Sequence, residues 1–453
     1  MSFQDVNRKH LSRRTFAAGA ALGAAALAST PLLHVAAQDA SPSPMASPAG
    51  NEPPIAVGTP EGELEIFSWW TSGGEAAGLQ KLFDAFSAHS PNVKIINAAV
   101  AGGAGSNAKV ALQTRLSGGQ APDSWQSHPG KELASLYVDP GFTEPMDDLY
   151  TEQGWGDVIP KGLLDQITLN DKRYLIPVGI HRGNVLFYSK KLVQDIGIEI
   201  GDALSWDQFW AAADKLKAAG VAAIALGDKD TFAAPMFFEN TLLGVLGPEE
   251  YTGLWNGTTP WDDDGVKQAI SYFAKAIDYL NEDHAALTWD GAADLLIEGK
   301  AAFTSMGDWA YGEFVSKKAQ DEIGWVTHPG TEGAYVTVVD GFTLPKGAPH
   351  PVNAANWLRT VGSRDAQEAF SPLKGCIPAR TDIDKSKFSG YFTWSIDALA
   401  SVPSVPSMAH GAAASPQFQQ TIFDATVQFL VDKDENTYLT TIKQGAEDEK
   451  SGS

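Results

Sequence analysis

Tryptophans and polar side chains occur together at three places where a predicted strand ends. The segment FSWWTSGGE places Trp69 and Trp70 side by side, with Glu75 after a loop of small residues. The segments WQSH (125–128) and GDW (307–309) have the same character. Neighbouring side chains of a strand point to opposite faces, so one indole of a pair can enter the core while the other faces outward. Such rings, beside carboxylate, amide and imidazole groups, could cover the C–H face of a sugar and bind its hydroxyls.

Other kinds of site are less well supported by the spacing. Residues 103–108, GAGSNA, fit the G-x-G-x-x-A pattern of a dinucleotide site, with Asp123 further along. That pattern normally follows the first strand of its domain, whereas here it follows the second, so a tight turn is the alternative. The histidines show no metal-binding spacing. A glycosidase pair of carboxylates cannot be recognised from spacing. For any single tryptophan, packing in the core is the more common role.

The segments that carry these residues alternate between strand and helix patterns. Strands are predicted over residues 64–68, 93–100, 221–226 and 301–306, and helices over 76–89, 107–116, 234–246 and 265–280. Ser205 and Gln208 form a capping box that opens a further helix. This alternation predicts an α/β protein with mostly parallel sheets. The chain beyond residue 62 exceeds the roughly 250–300 residues of one core, so two domains are expected.

The N-terminus and the composition indicate an exported protein. Arg13 and Arg14 precede an Ala/Leu-rich stretch and small residues near Ala37, which predicts a twin-arginine signal peptide over residues 1–37. A membrane anchor is the alternative, but glycines and Pro31 interrupt the stretch. Residues 38–62, rich in Ser, Pro and Ala, are predicted to form a flexible linker. A net charge of −22 argues against nucleic acid, and the single Cys376 cannot form an internal disulfide.

The chain resembles the periplasmic sugar-binding proteins of carbohydrate ABC transporters. It is most similar to the bacterial glucose/galactose/mannose-binding proteins. The resemblance extends over nearly the whole mature chain. It is carried by the blocks LEIFSWW, INAAVAGGAGSNA, PDSWQSHPG, PVGIHRGNV, LWNG, GKAAFTSMGDWA, GFTLPKGA, PLKGCIPAR and MAHGAAASPQF.

The resemblance implies a two-lobed α/β fold in which each lobe is a mostly parallel sheet flanked by helices. The lobes would be joined by a hinge with two or three crossovers and close around the ligand. We expect crossovers near Pro177, near residues 325–329 and near residues 375–378. The N-terminal lobe would comprise residues 63–176 and 326–376, and the C-terminal lobe residues 177–325 and 377–446, followed by a tail over 447–453.

The resemblance also implies a set of ligand contacts. They fall on Trp69, Trp70, Glu75, Gln126, His128, Asn184, Trp255, Asp308, Asp340, Lys346 and His410. Trp255 would be the stacking platform and Asp308 the main acceptor of hydroxyl hydrogen bonds. Some of these residues have ordinary structural alternatives: Asp308 could cap the following helix, Lys346 could lie in a solvated turn, and His410 could bond to backbone.

The implied function is an extracytoplasmic receptor that delivers a glucose-like hexose to the permease subunits of an ABC importer. The resemblance implies a monomer without enzymatic activity, cofactor or metal. Two alternatives stay open at this point. The same scaffold could bind a disaccharide or polyol, or the chain could be an exported glycosidase.

The paired arginines can be tested without a structure. Changing both Arg13 and Arg14 to Lys keeps the charge but alters the motif, so we expect it to block export by the twin-arginine route. Cell fractionation followed by immunoblotting measures the result. Normal secretion of the double variant would contradict the assignment.

Overall fold

Two β-sheets flanked by helices organise the chain in a computed structural model, which describes residues 52–102 and 105–452. The first lobe is built on a sheet of seven strands and the second lobe on a sheet of four, and two further short strands form a separate antiparallel pair. The strands are β1 Gly62–Phe67, β2 Val93–Asn97, β3 Ser124–Ser127, β4 Thr168–Leu169, β5 Lys172–Arg173, β6 Ile176–Arg182, β7 Val185–Ser189, β8 Ala222–Ile224, β9 Ala301–Met306, β10 Ile323–Thr327, β11 Tyr335–Thr343, β12 Ile377–Pro378 and β13 Ser404–Pro406.

Helices cover the faces of both sheets. They are α1 Gly73–His89, α2 Ser106–Ser117, α3 Lys131–Leu133, α4 Asp147–Gln153, α5 Trp155–Val158, α6 Lys161–Ile167, α7 Lys190–Asp195, α8 Trp206–Ala218, α9 Ala233–Asn256, α10 Asp264–Ile277, α11 Trp289–Ile297, α12 Trp309–Ser316, α13 Pro351–Gly362, α14 Arg364–Lys374, α15 Tyr391–Ser401, α16 Pro416–Asp432 and α17 Glu435–Ser451. A π-helical turn at Ala134–Val138 and a 3₁₀ turn at Lys385–Lys387 complete the helical segments.

Both sheets mix parallel and antiparallel pairs. The first sheet runs β12-β6-β11-β3-β1-β2, with β13 also paired to β11, and the second runs β10-β7-β9-β8. Strands β1, β2 and β3 pair in parallel, but β11 is antiparallel to β3 and β6, and β7 is antiparallel to β9 and β10. The α/β class is confirmed, whereas the expectation of mostly parallel sheets is wrong. A parallel neighbour needs a long crossover, and several strands here arrive directly from the other sheet.

The points at which the chain passes from one sheet to the other follow from the sheet to which each strand belongs. Strand β6 stays in the first sheet up to Arg182, and the next strand, β7, belongs to the second, so the first passage is Gly183-Asn184 and not Pro177. The second passage is residues 328–334, between β10 and β11. Since β12 and β13 also lie in the first sheet, the last passage follows Pro406 and does not lie near residues 375–378.

The local sequence signals explain several element boundaries. The capping box is present, because the Ser205 hydroxyl accepts from the Gln208 N–H and the Gln208 side chain accepts from the Ser205 N–H. Helix α1 buries Leu79, Leu82, Phe83 and Phe86 on one face, as its periodicity predicts. Strand β9 has the predicted bounds.

The folded part of the chain extends further at both ends than the sequence predicted. Glu52 accepts a hydrogen bond from the Arg364 N–H and pairs with Arg380, and the backbone of Val57 bonds twice to the Asn356 amide. Residues from Glu52 onward therefore pack on the first lobe and do not form a free linker. At the other end, residues 447–451 belong to α17 rather than to a tail. The predicted signal peptide lies outside the described residues, and within those described no helix is long and apolar enough to span a membrane.

A close helix junction brings α1, α12 and α14 together. A Cβ atom on Gly74 would lie 2.4 Å from the Leu373 carbonyl oxygen and 2.7 Å from that of Gly312. These distances are too short for any side chain, so glycine is required for this approach. The junction sets Glu75, in the first turn of α1, beside Lys374 at the end of α14.

We expect Gly74→Ala to destabilise the protein. The new methyl group meets backbone on two sides, and overpacking of this kind costs about 1–3 kcal/mol. Gly162→Ala is the matched control, since nothing lies within 4 Å of a Cβ atom there and the residue is also helical. Urea unfolding of the ligand-free proteins measures both free energies. If Gly74→Ala were as stable as the unchanged protein, the close packing of the three helices at Gly74 would be contradicted.

Candidate functional site

A cavity of about 420 Å³ opens between elements of the two lobes. Its wall combines three indoles, those of Trp69, Trp289 and Trp309, with charged and imidazole side chains. Of the predicted contacts, five line this cavity: Trp69, Glu75, His128, Asp340 and His410. The other six predicted residues, Trp70, Gln126, Asn184, Trp255, Asp308 and Lys346, do not line it.

The adjacent tryptophans separate into core and cavity, although both lie in the segment that follows the end of β1 at Phe67. Trp70 is buried in the first lobe, with its ring centroid 5.2 Å from Phe370 and 5.8 Å from Phe342. Trp69 lines the cavity beneath Gly105, where a Cβ atom would lie 2.9 Å from the indole ring. Gly105 also has a φ of +97°, so glycine fits both the backbone and the space. The described part of the GAGSNA segment is therefore a turn packed on an indole, which favours the tight-turn alternative over a dinucleotide fingerprint.

Two predicted residues lie one layer behind the wall. The Gln126 side chain accepts a hydrogen bond from the Trp69 N–H (3.2 Å) and donates to Asp340 Oδ1 (2.8 Å), so it links two lining residues. Asn184 lies in the first passage between the sheets, where its amide donates to the Thr331 and Ala334 carbonyls. Asn184 therefore ties the first passage to the second and does not reach the cavity.

Two other predicted residues lie outside the cavity altogether. Trp255, at the end of α9, packs against Trp261 and Phe418 in the second lobe. Lys346 is exposed in a turn, and its backbone N–H donates to the Phe142 carbonyl. The stacking role expected for Trp255 is available to Trp289 and Trp309, and two lysines, the exposed Lys229 and the buried Lys374, lie in the wall.

Lys374 is the buried cation of the cavity. Its Nζ lies 3.0 Å from Glu75 Oε1 and 3.8 Å from Asp340 Oδ2, and its side chain is only 2% exposed. Burial raises the pKa of Glu75, and Lys374 opposes that shift. Burial would lower the pKa of Lys374, yet Glu75 and Asp340 raise it overall, which keeps the ammonium charged. Removing charges from water requires this kind of pairing.

Asp308 lies next to the cavity wall with both carboxylate oxygens occupied. Oδ1 pairs with His181 Nδ1, while Oδ2 accepts from the Arg182 N–H (3.0 Å) and the Tyr391 hydroxyl (3.1 Å). It stands at the N-terminus of α12, but its side chain makes no capping hydrogen bond to that helix. The structure thus places Asp308 in a buried network, neither at the cavity surface nor as a helix cap.

Two histidines of the wall are fixed by neighbours. His128 Nδ1 lies 3.2 Å from Glu132, which also pairs with Lys109 at 2.7 Å. Burial would raise the pKa of Glu132, but Lys109 and His128 lower it to about 2. His410 Nδ1 lies 3.1 Å from the Ser407 hydroxyl, and burial, with His128 and Lys109 nearby, lowers the pKa of His410 well below its usual range. These surroundings therefore favour the neutral imidazole at His410.

The carboxylate of Glu239 holds the segment that carries His410. It is fully buried on α9 and accepts hydrogen bonds from the Tyr251 and Ser407 hydroxyls and from the Met408 and Ala409 N–H groups. This anchor fixes the last passage between the lobes. It presents His410 to the cavity beside Trp309, at a ring distance of 4.9 Å.

Several lining residues were missed by the sequence analysis. They are Thr71, Ser72, Asn107, His181, Lys229, Asp230, Phe232, Thr288, Trp289, Asp290, Trp309 and Lys374. Several of them lie in segments that the sequence had already singled out: Trp309 in GDW, His181 in PVGIHRGNV and Lys374 in PLKGCIPAR. Within the described chain, no group of His, Cys, Asp and Glu side chains is arranged to hold a metal ion. The wall can stack on an apolar face and bond several hydroxyl groups at once.

Relatives of this chain fall in one functional class. An ABC transporter extracellular-binding protein of Pyrococcus horikoshii is 37% identical over 84% of this chain and 86% of its own length. A probable sugar-binding periplasmic protein of Brucella melitensis is 29% identical, over 83% of this chain and 89% of its own.

Solved structures with the same two-lobed fold share less sequence. The bacterial solute receptor AcbH, described as having an exclusive preference for β-D-galactopyranose, superposes with a TM-score of 0.75 at 20% identity, over 86% of this chain and 99% of its own. A chitin oligosaccharide binding protein gives a TM-score of 0.76 at 20% identity, with the same coverage.

The family model of the bacterial extracellular solute-binding proteins matches residues 70–368. The match includes the strands β6 and β11, which carry the cavity residues His181, Val338 and Asp340, and it ends within α14. The resemblance predicted from the sequence is confirmed, and the chain belongs to the family of bacterial extracellular solute-binding proteins.

Proposed function

We propose that the cavity binds one glucose-like hexose and that the protein delivers it, outside the cytoplasmic membrane, to the permease subunits of an ABC importer. The coarser part of this statement rests on the family, whose members are binding proteins of transport systems and not enzymes. The finer part, a monosaccharide as ligand, rests on the cavity. The protein is proposed to act as a monomer.

The observation that carries the proposal is the pairing of indoles with fixed polar groups in one cavity. Trp69, Trp289 and Trp309 offer flat apolar surfaces, which suit the C–H face of a pyranose ring. Asp340 and Glu75 can accept from hydroxyl groups, while Lys374 can donate. A ligand with one apolar face and a rim of hydroxyls uses all of these groups together.

The size of the cavity supports a small ligand. At about 420 Å³ it lies near the lower end of the roughly 300–1,000 Å³ of small-molecule sites. The Brucella relative is named for sugar binding, which supports the ligand class. The solved structures share the fold only, so their different sugars do not choose between one ring and several.

A ligand panel separates a hexose from longer sugars. We expect D-glucose, D-galactose or D-mannose to raise the melting temperature, because a ligand bound only by the native state stabilises it by about 2.7 kcal/mol at 100 times its Kd. Maltose, lactose and chitobiose are the comparison set, measured by the same thermal-shift assay. Stabilisation by a disaccharide with no response to any hexose would overturn the monosaccharide assignment.

The two candidate stacking tryptophans can be compared directly. Trp69 lines the cavity, whereas Trp255 packs among aromatic side chains outside it. We expect Trp69→Ala to weaken hexose binding by roughly tenfold or more, since burying a large apolar side chain contributes about 1.5–3 kcal/mol. Trp255→Ala should lower the free energy of unfolding and leave the affinity of the folded protein nearly unchanged.

Isothermal calorimetry with the hexose that responds in the panel measures both affinities, and urea unfolding measures both stabilities. The opposite pattern, with binding lost in Trp255→Ala and retained in Trp69→Ala, would restore the sequence expectation for Trp255 and refute the cavity as the site.

A further inference from the structure

His181 connects two buried carboxylates at the cavity wall. It lies in β6, with Nδ1 against Asp308 Oδ1 and Nε2 3.0 Å from Asp340 Oδ2. The side chains of His181, Asp308 and Asp340 are 1%, 0% and 5% exposed. Water therefore does not take the place of the contacts between the ring and the carboxylates. A neutral imidazole carries a single N–H, and only the doubly protonated ring can donate to both carboxylates. The geometry therefore calls for an imidazolium.

The charges around the ring agree with that state. Burial and the nearby Lys374 ammonium would lower the pKa of His181, but Asp308 and Asp340 outweigh them and raise it. Glu75 and His410 are the other titratable groups that interact with the ring from the surrounding elements. The Glu75 carboxylate attracts an imidazolium, and the surroundings of His410 lower its pKa and favour its neutral form, so neither group opposes the charge on His181.

Asp340 receives its orientation from this ring. Gln126 donates to Oδ1 at 2.8 Å, and His181 lies against Oδ2 at 3.0 Å. His128 Nε2 and Lys374 Nζ are further away, at 3.7 and 3.8 Å. Asp308, in turn, is held by the Arg182 N–H and the Tyr391 hydroxyl, so it is a rigid support on the side away from the cavity.

We propose that Asp308 is a positioning residue for ligand binding: it keeps His181 an imidazolium, and His181 fixes the Asp340 carboxylate toward the cavity. This role rests on the proposed function, because Asp340 is taken as a group that accepts from the ligand. It differs from a direct contact, since Asp308 does not line the cavity, and from a helix cap, since Asp308 makes no such bond.

The proposal has a definite pH dependence. The pKa of His181 is raised in the folded state, so the stabilisation from its charge is fully present below the unfolded value of about 6.5 and is lost as the pH rises through the folded value. Ligand affinity should fall over the same alkaline range, because a neutral ring no longer holds both carboxylates. In Asp308→Asn the His181 ring has one carboxylate partner instead of two, so the decrease in ligand affinity should occur at lower pH.

The charge on His181 can be read in the ligand-free protein. Nitrogen-15 NMR distinguishes imidazolium from neutral imidazole, and the His181 signals are identified by their absence in His181→Gln. We expect an imidazolium at pH 7 in the unchanged protein. In Asp308→Asn we expect the midpoint of His181 deprotonation to be at least about one pH unit lower, because the loss of one neighbouring opposite charge shifts a pKa by about that much. A neutral His181 ring at pH 7 in the unchanged protein would overturn the proposal, even if the variant failed to fold.

Calorimetry with D-glucose, D-galactose and D-mannose tests the effect on binding. We expect Asp308→Asn to raise Kd at pH 7 by roughly tenfold. The matched control is Asp123→Asn, because Asp123 is also a buried carboxylate, pairs with His350 and lies away from the cavity. Its Kd should not change. Loss of affinity in Asp308→Asn with His181 still an imidazolium, or unchanged affinity with the ring neutral, would refute positioning. Failure of the proposed function is a separate result, because none of the three hexoses would then bind the unchanged protein.

Discussion

The pairing of buried charges beneath the cavity is the constraint on which the site depends. Lys374 and His181 lie almost out of water, and each needs carboxylates at short distance. Those carboxylates come from separate parts of the chain: Glu75 from the start of α1, Asp340 from the middle of β11 and Asp308 from the end of β9. Every one of these elements must therefore approach the others closely. The glycine junction at Gly74 and Gly312 permits this between the helices, and the β6–β11 pairing permits it between the strands.

The same strands build the site and carry the chain between the lobes. In β6 the cavity residue His181 is followed by Arg182 and then by the passage Gly183-Asn184. Strand β11 begins just after the second passage and reaches the cavity at Val338 and Asp340. Asn184, in the first passage, bonds to Thr331 in the second passage and to the backbone N–H of Val336 in β11. A change in the angle between the lobes would act on the strands that hold the polar wall, so closure and ligand binding would be physically linked.

The sequence predicted features that depend on local patterns. It missed features that depend on contacts between residues far apart in the chain. The strand at residues 301–306 and the capping box at Ser205 follow from periodicity and local hydrogen bonding. Lys346 and Lys374 show the limit. Each precedes a glycine with positive φ, so their local signals are alike. Only the packing of α14 against α1 makes one a buried cation and leaves the other in solvent.

Asp308 and Asp340 illustrate the same limit with carboxylates. Both follow or lie within buried strands, and both were expected to contact the ligand. Their different positions come from the register of β11 on β6, which pairs Val338 with His181 and so brings Asp340 to one ring nitrogen. That pairing joins residues far apart in the chain, and no periodicity within either segment encodes it. The passages between the sheets were misplaced for a related reason, because sheet membership depends on partners and not on the strand itself.

A buried charged network is an expensive way to make a wall, because apolar residues of similar volume are often as stable or more so. Under the proposed function, its advantage lies in binding. A carboxylate already held by Gln126 and His181 does not reorganise when a hydroxyl arrives, so less free energy is lost in ordering the site. The remaining acceptor positions point in fixed directions, and a ligand whose hydroxyls point elsewhere leaves a buried polar group unpaired. Discrimination between epimers would thus come from the rigidity of the network behind the wall as much as from the residues that line it.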